Sequence, residues 1–302
     1  MCELKQKLDE WTDWLAGDDV HSVRKQINSL IWDTAFFRCI NEARNHSPTD
    51  DKGEPLLNGE VHRLINCGFW VIQSINIRKL IDRSNDVISL WRLIDDIEKN
   101  HKIVTRGNLL EAHGYPYDYE REKHNILQKV IASQQNGVRS YNDEMSVGID
   151  SMLIHESMDE LAGVEKANRQ ASDTIEFELF GFLKARLDQC DEVRTYVNKF
   201  VAHSASPKSR QEVNADGLEI TLGKIYDAQQ ILCETAGFIG QEILYHSLGG
   251  FLPVPQFNQF KHFEKPWIDK DSINKLYDEW SAFDKETRGW TQWDWKAEYE
   301  RR

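Results

Sequence analysis

The chain has 302 residues, of which 40% are hydrophobic and 29% are charged, and its formal net charge is −13. This balance is typical of a folded globular protein and excludes an intrinsically disordered chain. The negative charge excludes indiscriminate binding to nucleic acid or to an anionic membrane, so a phosphate-binding function requires a local basic patch.

Apolar residues recur at intervals of three and four along most of the chain, as on one face of an α-helix. No segment shows a persuasive period of two, which is typical of β-strands. The sequence therefore predicts an all-α protein, a multi-helix bundle with long antiparallel helices and helical or irregular extensions. The expected helices span residues 3–15, 20–45, 60–82, 89–99, 119–135, 159–187, 190–204, 219–246 and 271–284.

Breaks in the helical pattern suggest how the chain is organised. We expect an N-terminal helix at 1–19 and a main helical domain at 20–246, with an irregular insertion near 105–160. Glycine and proline interrupt the pattern after this domain, so 247–302 is expected to hold a loop, a short helix and a Trp-rich tail. The polar loop at 46–59 and the Trp-rich tail carry no recognisable chemistry.

The five cysteines are widely scattered and form no CxxC pair. Disulfide frameworks and zinc modules need paired or clustered thiols, so these cysteines are expected to be reduced. The N-terminus has no apolar signal core, and no apolar run approaches the roughly 20 residues that span a bilayer. These features predict a cytoplasmic protein without a membrane segment.

Sequence motifs for nucleotide, metal and serine-hydrolase sites are missing from the chain. The ten histidines show no metal-ligand spacing, and we expect neither a metal nor another cofactor. Asp95 and Asp96 are adjacent on an expected helix, where neighbours point about 100° apart, so they are not expected to share a site.

The segment 193–211 is the local exception to the negative charge, because it contains four basic residues and no acidic one. Within it, Lys199 and His203 are four positions apart on an expected helix and share a face. An imidazole near a cation and an amide donor, here Asn198, suits acid–base chemistry on a phosphodiester. The basic residues are Arg194, Lys199, Lys208 and Arg210.

The run Asn198-Lys199-Phe200-Val201-Ala202-His203, followed by a polar Ser-Pro-Lys-Ser-Arg stretch, resembles the HEPN superfamily of all-α nucleotide-binding domains. The similarity is greatest to the abortive-infection AbiU-type branch, whose upstream helices the segments 61–83 and 88–96 resemble. The resemblance covers roughly residues 20–246. Many members of the superfamily are metal-independent ribonucleases of toxin–antitoxin, abortive-infection and CRISPR systems.

The resemblance implies a metal-independent endoribonuclease that cleaves RNA in phage defence or in a toxin–antitoxin response. It also implies a homodimer whose two motifs face one cleft, and an antitoxin or other defence protein as partner. His203 would be the general acid or base acting on the 2′-OH, while Asn198 and Lys199 would position the scissile phosphate. The residues expected to bind phosphate are Arg194, Lys208, Arg210, Arg78 and Arg83.

The chain departs from the family motif at one position. In the motif an Arg is followed by four to six residues and then by the His, but Val197 stands at the Arg position, and valine cannot bind a phosphate oxygen. Arg194 lies about 180° from His203 around an ideal helix and does not simply replace the missing group. Arginines of earlier helices are further candidates, namely Arg63, Arg78 and Arg83.

Two other hypotheses remain open at this point. In the first, the chain is a non-catalytic HEPN-like scaffold that binds a partner protein or a nucleotide, because its active site has decayed at Val197. In the second, the chain is a structural protein whose basic segment 193–211 contacts an acidic partner.

Overall fold

The computed structural model contains α-helices and no β-strand in the part of the chain that it describes, which confirms the all-α class. Two isolated β-bridges join Thr49 to Pro55 and Thr105 to Thr174. The described residues are 3–135, 143–202, 205–214, 219–266 and 270–290. The helices are α1 (Glu3–Ala16), α2 (Val23–Asn45), α3 (Gly59–Leu80), α4 (Leu90–Lys99), α5 (Arg106–His113), α6 (Tyr119–Gln135), α7 (Asp143–Leu161), α8 (Phe177–Asp188), α9 (Asp191–Tyr196), α10 (Pro207–Asn214), α11 (Leu222–Phe238) and α12 (Ile273–Trp290).

The chain divides into two compact units, Met1–Pro253 and Val254–Arg302. The first unit has one continuous hydrophobic core to which α1 contributes four buried side chains: Leu4, Leu8, Trp11 and Leu15. Their spacing of three and four places them on one face of α1. The first helix is therefore an integral part of this core.

Polar contacts fix α1 and α8 to α4 from two directions. The Trp11 indole nitrogen Nε1 donates to Oδ2 of Asp96 over 2.7 Å. The Lys184 ammonium donates to Oδ1 of Asp95 over 3.0 Å. The two adjacent carboxylates thus serve different helices, as their angular separation on α4 predicts.

Polar N-cap residues begin several of the helices. The Ser89 hydroxyl accepts from the Arg92 amide at 3.0 Å, which confirms the expected start of α4. Asn58 caps α3 in the same way, with 2.9 Å between its Oδ1 and the Val61 amide nitrogen. Each such cap stabilises a helix by about 1 kcal/mol.

The expectation of one continuous helix over 159–187 is wrong. Helix α7 ends at Leu161, and Gly163 follows with a φ of 59°, a left-handed conformation that glycine adopts without a steric penalty. Helix α8 begins only at Phe177. A single glycine within an apolar pattern therefore marked a helix end that periodicity alone did not reveal.

Helix α5 occupies part of the 107–119 stretch, for which no helix was expected. Thr105 caps its start, and Gly114 ends it with a φ of 76°. Arg106 is fully buried, and its guanidinium donates to Asp173 over 2.9 Å and to Asp159 over 3.0 Å. This doubly paired buried arginine joins α5 to α7 and to the segment before α8.

Two of the described helices end in π-helical turns. The turn Val197–Val201 follows α9, and the Ala202 amide donates to the Val197 carbonyl over 2.7 Å. The turn Ile239–Ile243 follows α11, and the Leu244 amide donates to the Ile239 carbonyl over 3.0 Å. These widened turns are rare in proteins and are frequent at functional sites.

In the second unit, α12 extends to Trp290, six residues beyond the expected end of the last helix. The tryptophans of the expected C-terminal tail after residue 290 lie outside the described residues. Among the described helices of the chain, none combines the length and apolar character needed to cross a membrane.

Candidate functional site

The end of α3 packs against α9 and against the π-helical turn Val197–Val201. Buried apolar side chains lie on both sides of this junction, with Ile77 and Leu80 on α3 and Val193 on α9. Because these residues occupy the core-facing sides of their helices, the polar residues between them lie towards solvent.

These polar residues surround a solvent-open cleft of about 480 Å³. We call it the arginine cleft, because three of its seven lining residues are arginines. Its acidic member is Asp82, and the other members are neutral and polar. The lining residues are Arg78, Asp82, Arg83, Ser84, Arg194, Thr195 and Asn198.

Arg78 joins the two sides of the arginine cleft. Its guanidinium nitrogen Nε donates to Oδ1 of Asn198 over 2.9 Å. In the described part of the chain, no carboxylate lies within ion-pair distance of Arg78. A guanidinium carries five N–H donors in a planar fork, so Arg78 retains donors that suit a phosphate or carboxylate ligand.

The other two arginines of the cleft have acidic neighbours. Arg83 contacts Asp188 at 2.5 Å and Asp191 at 3.3 Å, and its guanidinium lies 4.1 Å from the ring centre of Trp91. Arg194 contacts the same Asp191 carboxylate at 2.7 Å. These contacts hold both guanidinium groups in place and neutralise part of their charge.

Asp82 reduces the positive potential of the arginine cleft. Burial favours its neutral form, but hydrogen bonds from Ser84 and the charges of Arg78 and Arg194 outweigh burial and lower the pKa of Asp82. The backbone amide of Ser84 donates to Oδ1 of Asp82 over 2.9 Å. Asp82 is therefore ionised at neutral pH and opposes the binding of an anion.

Val197, which the resemblance to the HEPN motif assigns to the arginine position, is 1% exposed. It belongs to the core, and an arginine at this position would bury its charge. Arg78 reaches the π-helical turn from α3 and contacts Asn198, the polar residue that follows Val197. A guanidinium from a different helix therefore lies beside Asn198.

Three of the sequence-predicted residues do not line the arginine cleft. The Lys199 ammonium donates to the Ser209 hydroxyl over 2.7 Å, which ties the π-helical turn to α10. Lys208 and Arg210 are exposed on α10 itself. His203 lies outside the described residues.

The structure also separates the three candidate arginines of the earlier helices. Arg78 and Arg83 line the arginine cleft, whereas Arg63 lies fifteen positions before Arg78 on α3 and contacts Glu60 at 2.8 Å. Ser84, Thr195 and the opposing charge of Asp82 were not among the residues predicted from the sequence. Asp82 and Ser84 could have been predicted from their position, because both flank Arg83 directly after the end of α3.

No group of three or more His, Cys, Asp or Glu side chains in the described ranges is arranged to hold a metal ion. Comparisons of the chain with protein-family models, with curated proteins and with solved structures gave no match.

Proposed function

We propose that the chain is a HEPN-like, metal-independent endoribonuclease of the AbiU type. It would act in the cytoplasm, in phage defence or in a toxin–antitoxin response. The observation that supports this proposal best is the contact of Arg78 with Asn198 in an open cleft that contains two further arginines. The contact puts a cation beside a motif that lacks its own arginine.

In the proposed reaction, Arg78 binds a non-bridging oxygen of the scissile phosphate and stabilises its developing negative charge. Asn198 is oriented by Arg78 and positions the phosphate. His203 acts as general base or acid. The 2′-oxygen loses its proton and attacks phosphorus, the bond from phosphorus to the 5′-oxygen breaks, and that oxygen takes up a proton. The products carry a 2′,3′-cyclic phosphate and a 5′-hydroxyl group.

An exposed apolar stripe on α3 supports the proposed homodimer. Leu64, Val71 and Ile72 are 69%, 41% and 48% exposed, and Cys67 is also exposed. Leu64, Cys67 and Val71 are three and four positions apart and share one face of the helix that carries Arg78, and Ile72 widens this face beside Val71. A second copy of the chain, or a defence partner such as an antitoxin, would cover this stripe.

A cleavage assay on single-stranded RNA in the presence of EDTA tests the proposal. We expect His203→Ala to reduce the cleavage rate by about 10²–10⁴-fold, the usual contribution of general acid–base catalysis. Arg78→Ala should reduce it by about 10²-fold, as for the loss of a group that stabilises transition-state charge. Arg63→Ala is the matched control, because it removes an arginine of the same helix that lies outside the cleft.

The control should retain the full rate, and the products should end in a 2′,3′-cyclic phosphate. Equal rates for Arg78→Ala and Arg63→Ala would contradict the assigned role of Arg78. An absence of cleavage on a broad set of RNAs would contradict the ribonuclease proposal.

A second candidate function is a non-catalytic scaffold that binds a nucleotide or RNA. The pairing of Arg83 and Arg194 with Asp191 favours it, because these contacts reduce the charge available to a transition state. RNA binding that Arg78→Ala weakens, without cleavage by the unaltered chain, would support the scaffold.

A further inference from the structure

A second cluster of polar side chains joins the end of α2 to the start of α3, and none of its members lines the arginine cleft. Helices α2 and α3 pack against each other, with the rings of Phe37 and Phe69 stacked at 3.8 Å between centroids. Arg44 lies about two helical turns after Phe37, and His62 lies about two turns before Phe69. Because the two helices run in opposite directions, this packing brings Arg44 to His62 and to Asn66, one turn further along α3.

Two hydrogen bonds hold this cluster together, and Arg44 is the donor in both. Its Nε donates to Nδ1 of His62 over 3.0 Å, and its Nη2 donates to Oδ1 of Asn66 over 2.8 Å. We call the three residues the Arg44 cluster. Since a guanidinium has donors and no acceptor, both partners must turn an acceptor atom towards it. The two contacts therefore fix which atoms of the imidazole and of the amide face away from Arg44.

The nitrogens that face away from Arg44 are hydrogen-bond donors. Burial, together with the charge of Arg44, lowers the pKa of His62, so its imidazole is neutral at pH 7. A neutral imidazole that accepts at Nδ1 carries its proton on Nε2. The Nδ2 group of Asn66 has two N–H bonds, and Arg44 retains three of its five. Every remaining nitrogen of the Arg44 cluster is thus a donor.

The donors of the Arg44 cluster are open to solvent, and no carboxylate of the described residues forms an ion pair with its guanidinium. All three side chains are half-buried, and none of their remaining nitrogens is a buried atom without a partner. On α2 the nearest carboxylate, Glu42, contacts His46 at 3.0 Å. On α3 the acidic residue Glu60 contacts Arg63 at 2.8 Å. A ligand can therefore reach a cation whose charge is not neutralised by an ion pair.

We propose that the Arg44 cluster binds a phosphate group. One cation and two neutral donor groups lie together in it, the pattern that binds an anion through charge-assisted hydrogen bonds. A carboxylate is planar and suits the parallel donors of a single guanidinium. Donors from three side chains on two helices suit the tetrahedral oxygens of a phosphate better.

The phosphate has two sources, a small phosphate ligand or the backbone of an RNA. Proton–nitrogen NMR spectra of the His62 imidazole, recorded on the full chain at neutral pH, test the proposal and separate these sources. We expect the Nε2–H tautomer in the free protein and a saturable shift of its resonance when ligand is added. One titration uses inorganic phosphate, and the other uses a short 2′-O-methylated RNA, which attack by the 2′-oxygen cannot cleave.

The variant Asn66→Asp distinguishes a binding site from a purely structural contact. It replaces a donor of the cluster with a carboxylate that pairs with Arg44, so the connection between α2 and α3 is kept. It should weaken phosphate binding roughly tenfold or more, because it removes a donor and adds a repulsive charge. Arg63→Gln is the control, since it removes an exposed arginine of α3 outside the cluster. Circular dichroism verifies that each variant is folded.

A response of His62 to inorganic phosphate would identify a site for a small phosphate, and a response to RNA alone would identify a contact with its backbone. In either case, loss of the response in Asn66→Asp and its retention in Arg63→Gln would support the proposal. The Nδ1–H tautomer, no response to either ligand, or unchanged affinity in folded Asn66→Asp would overturn it. So would an equal response to acetate. None of these outcomes depends on RNA cleavage, so the proposal stands or falls separately from the ribonuclease activity.

Discussion

The two π-helical turns in the described part of the chain line cavities with different side chains. The turn Val197–Val201 supplies Asn198 to the arginine cleft, whereas the turn Ile239–Ile243 supplies Gln241 and Glu242 to a second cavity, of about 560 Å³, whose lining includes four acidic residues and no lysine or arginine. Both turns place inward residues, Val197 and Ile239, in the hydrophobic core. Each π-helical turn therefore buries one side in the hydrophobic core and exposes polar groups on its other side. The residues of the flanking helices determine the charge of the cavity that the turn lines.

The partners of the polar groups separate structural residues from candidate binding residues. Arg106 is fully buried and is bonded to two carboxylates and to the His155 carbonyl, so it is fully used in holding helices together. Arg78 bonds to the neutral amide of Asn198, so its charge is not consumed by that contact.

The largest effect is expected from a charge at the inward face of the first π-helical turn. Val197→Arg introduces the arginine that the proposed HEPN resemblance expects, but it buries an unpaired guanidinium in the core. We expect the free energy of unfolding to fall by about 3–5 kcal/mol, the usual cost of an uncompensated buried charge. Urea denaturation followed by circular dichroism measures this change.

Val197→Ala is the control for this substitution, because it removes buried methyl groups without adding a charge. It should cost about 2 kcal/mol. If Val197→Arg were as stable as the unaltered chain, the side chain would have a route to solvent. The inference that Arg78 takes the place of the motif arginine would then lose its basis.

The second turn leads to Tyr245, whose buried hydroxyl lacks a hydrogen bond of normal geometry and interacts with Ser157, and the expected effect there has the opposite sign. Because the Ser157 hydroxyl already donates to Glu242, Tyr245→Phe removes a poorly paired polar group, and the free energy of unfolding should stay constant or rise by up to about 1 kcal/mol. Tyr115→Phe is the matched variant, because its hydroxyl donates to Asp150. It should lower the stability by about 1 kcal/mol. Equal losses in both variants would show that the Tyr245 hydroxyl is well paired in solution.

The smallest expected effect concerns the acidic member of the arginine cleft. Asp82→Asn removes a repulsive charge but keeps the oxygen that accepts from Ser84, so RNA affinity should rise about threefold at pH 7, or roughly 0.6 kcal/mol. Fluorescence anisotropy with labelled RNA measures this change. Asp51→Asn, in the exposed loop after α2, is the control and should leave the affinity unchanged.

The pKa of Asp82 gives this prediction a pH dependence. Because the folded protein lowers that pKa, ionised Asp82 contributes stability above the pKa of the unfolded chain, and the contribution disappears as pH falls through the folded value. The threefold difference between Asp82→Asn and the unaltered chain should therefore persist at neutral pH and vanish in acid. A constant difference at all pH values would contradict an electrostatic origin.

Prediction from the sequence succeeded where local patterns are decisive. The spacing of apolar residues located α1, α2, α3 and α4 to within a few residues, and Ser89 marked the start of α4 by its capping chemistry. It failed between 159 and 187, because the left-handed Gly163 ends α7 within an apolar pattern that otherwise continues. Periodicity records which residues face a core, and it does not record where the backbone changes direction.

Some residues of the arginine cleft could also be predicted from the sequence, and others could not. The charge exception at 193–211 drew attention to Arg194 and Asn198, and both line the arginine cleft. Lys199 lies in the same basic segment and was predicted on the same grounds, but it bonds to Ser209 and does not line the cleft. The sequence offered Arg63, Arg78 and Arg83 without a choice among them, because the reach of one helix to another depends on their packing.

By itself, the sequence determined that this protein is helical, that its charge is strongly negative, and that residues 193–211 are the basic exception. Composition and periodicity suffice for these conclusions because each depends on residues close together along the chain. Only the tertiary structure decided that Arg78 meets Asn198, 120 positions away, and that His113 and Tyr245 share one cavity wall. Such contacts depend on which helix faces pack together, and many sequence patterns are compatible with each packing.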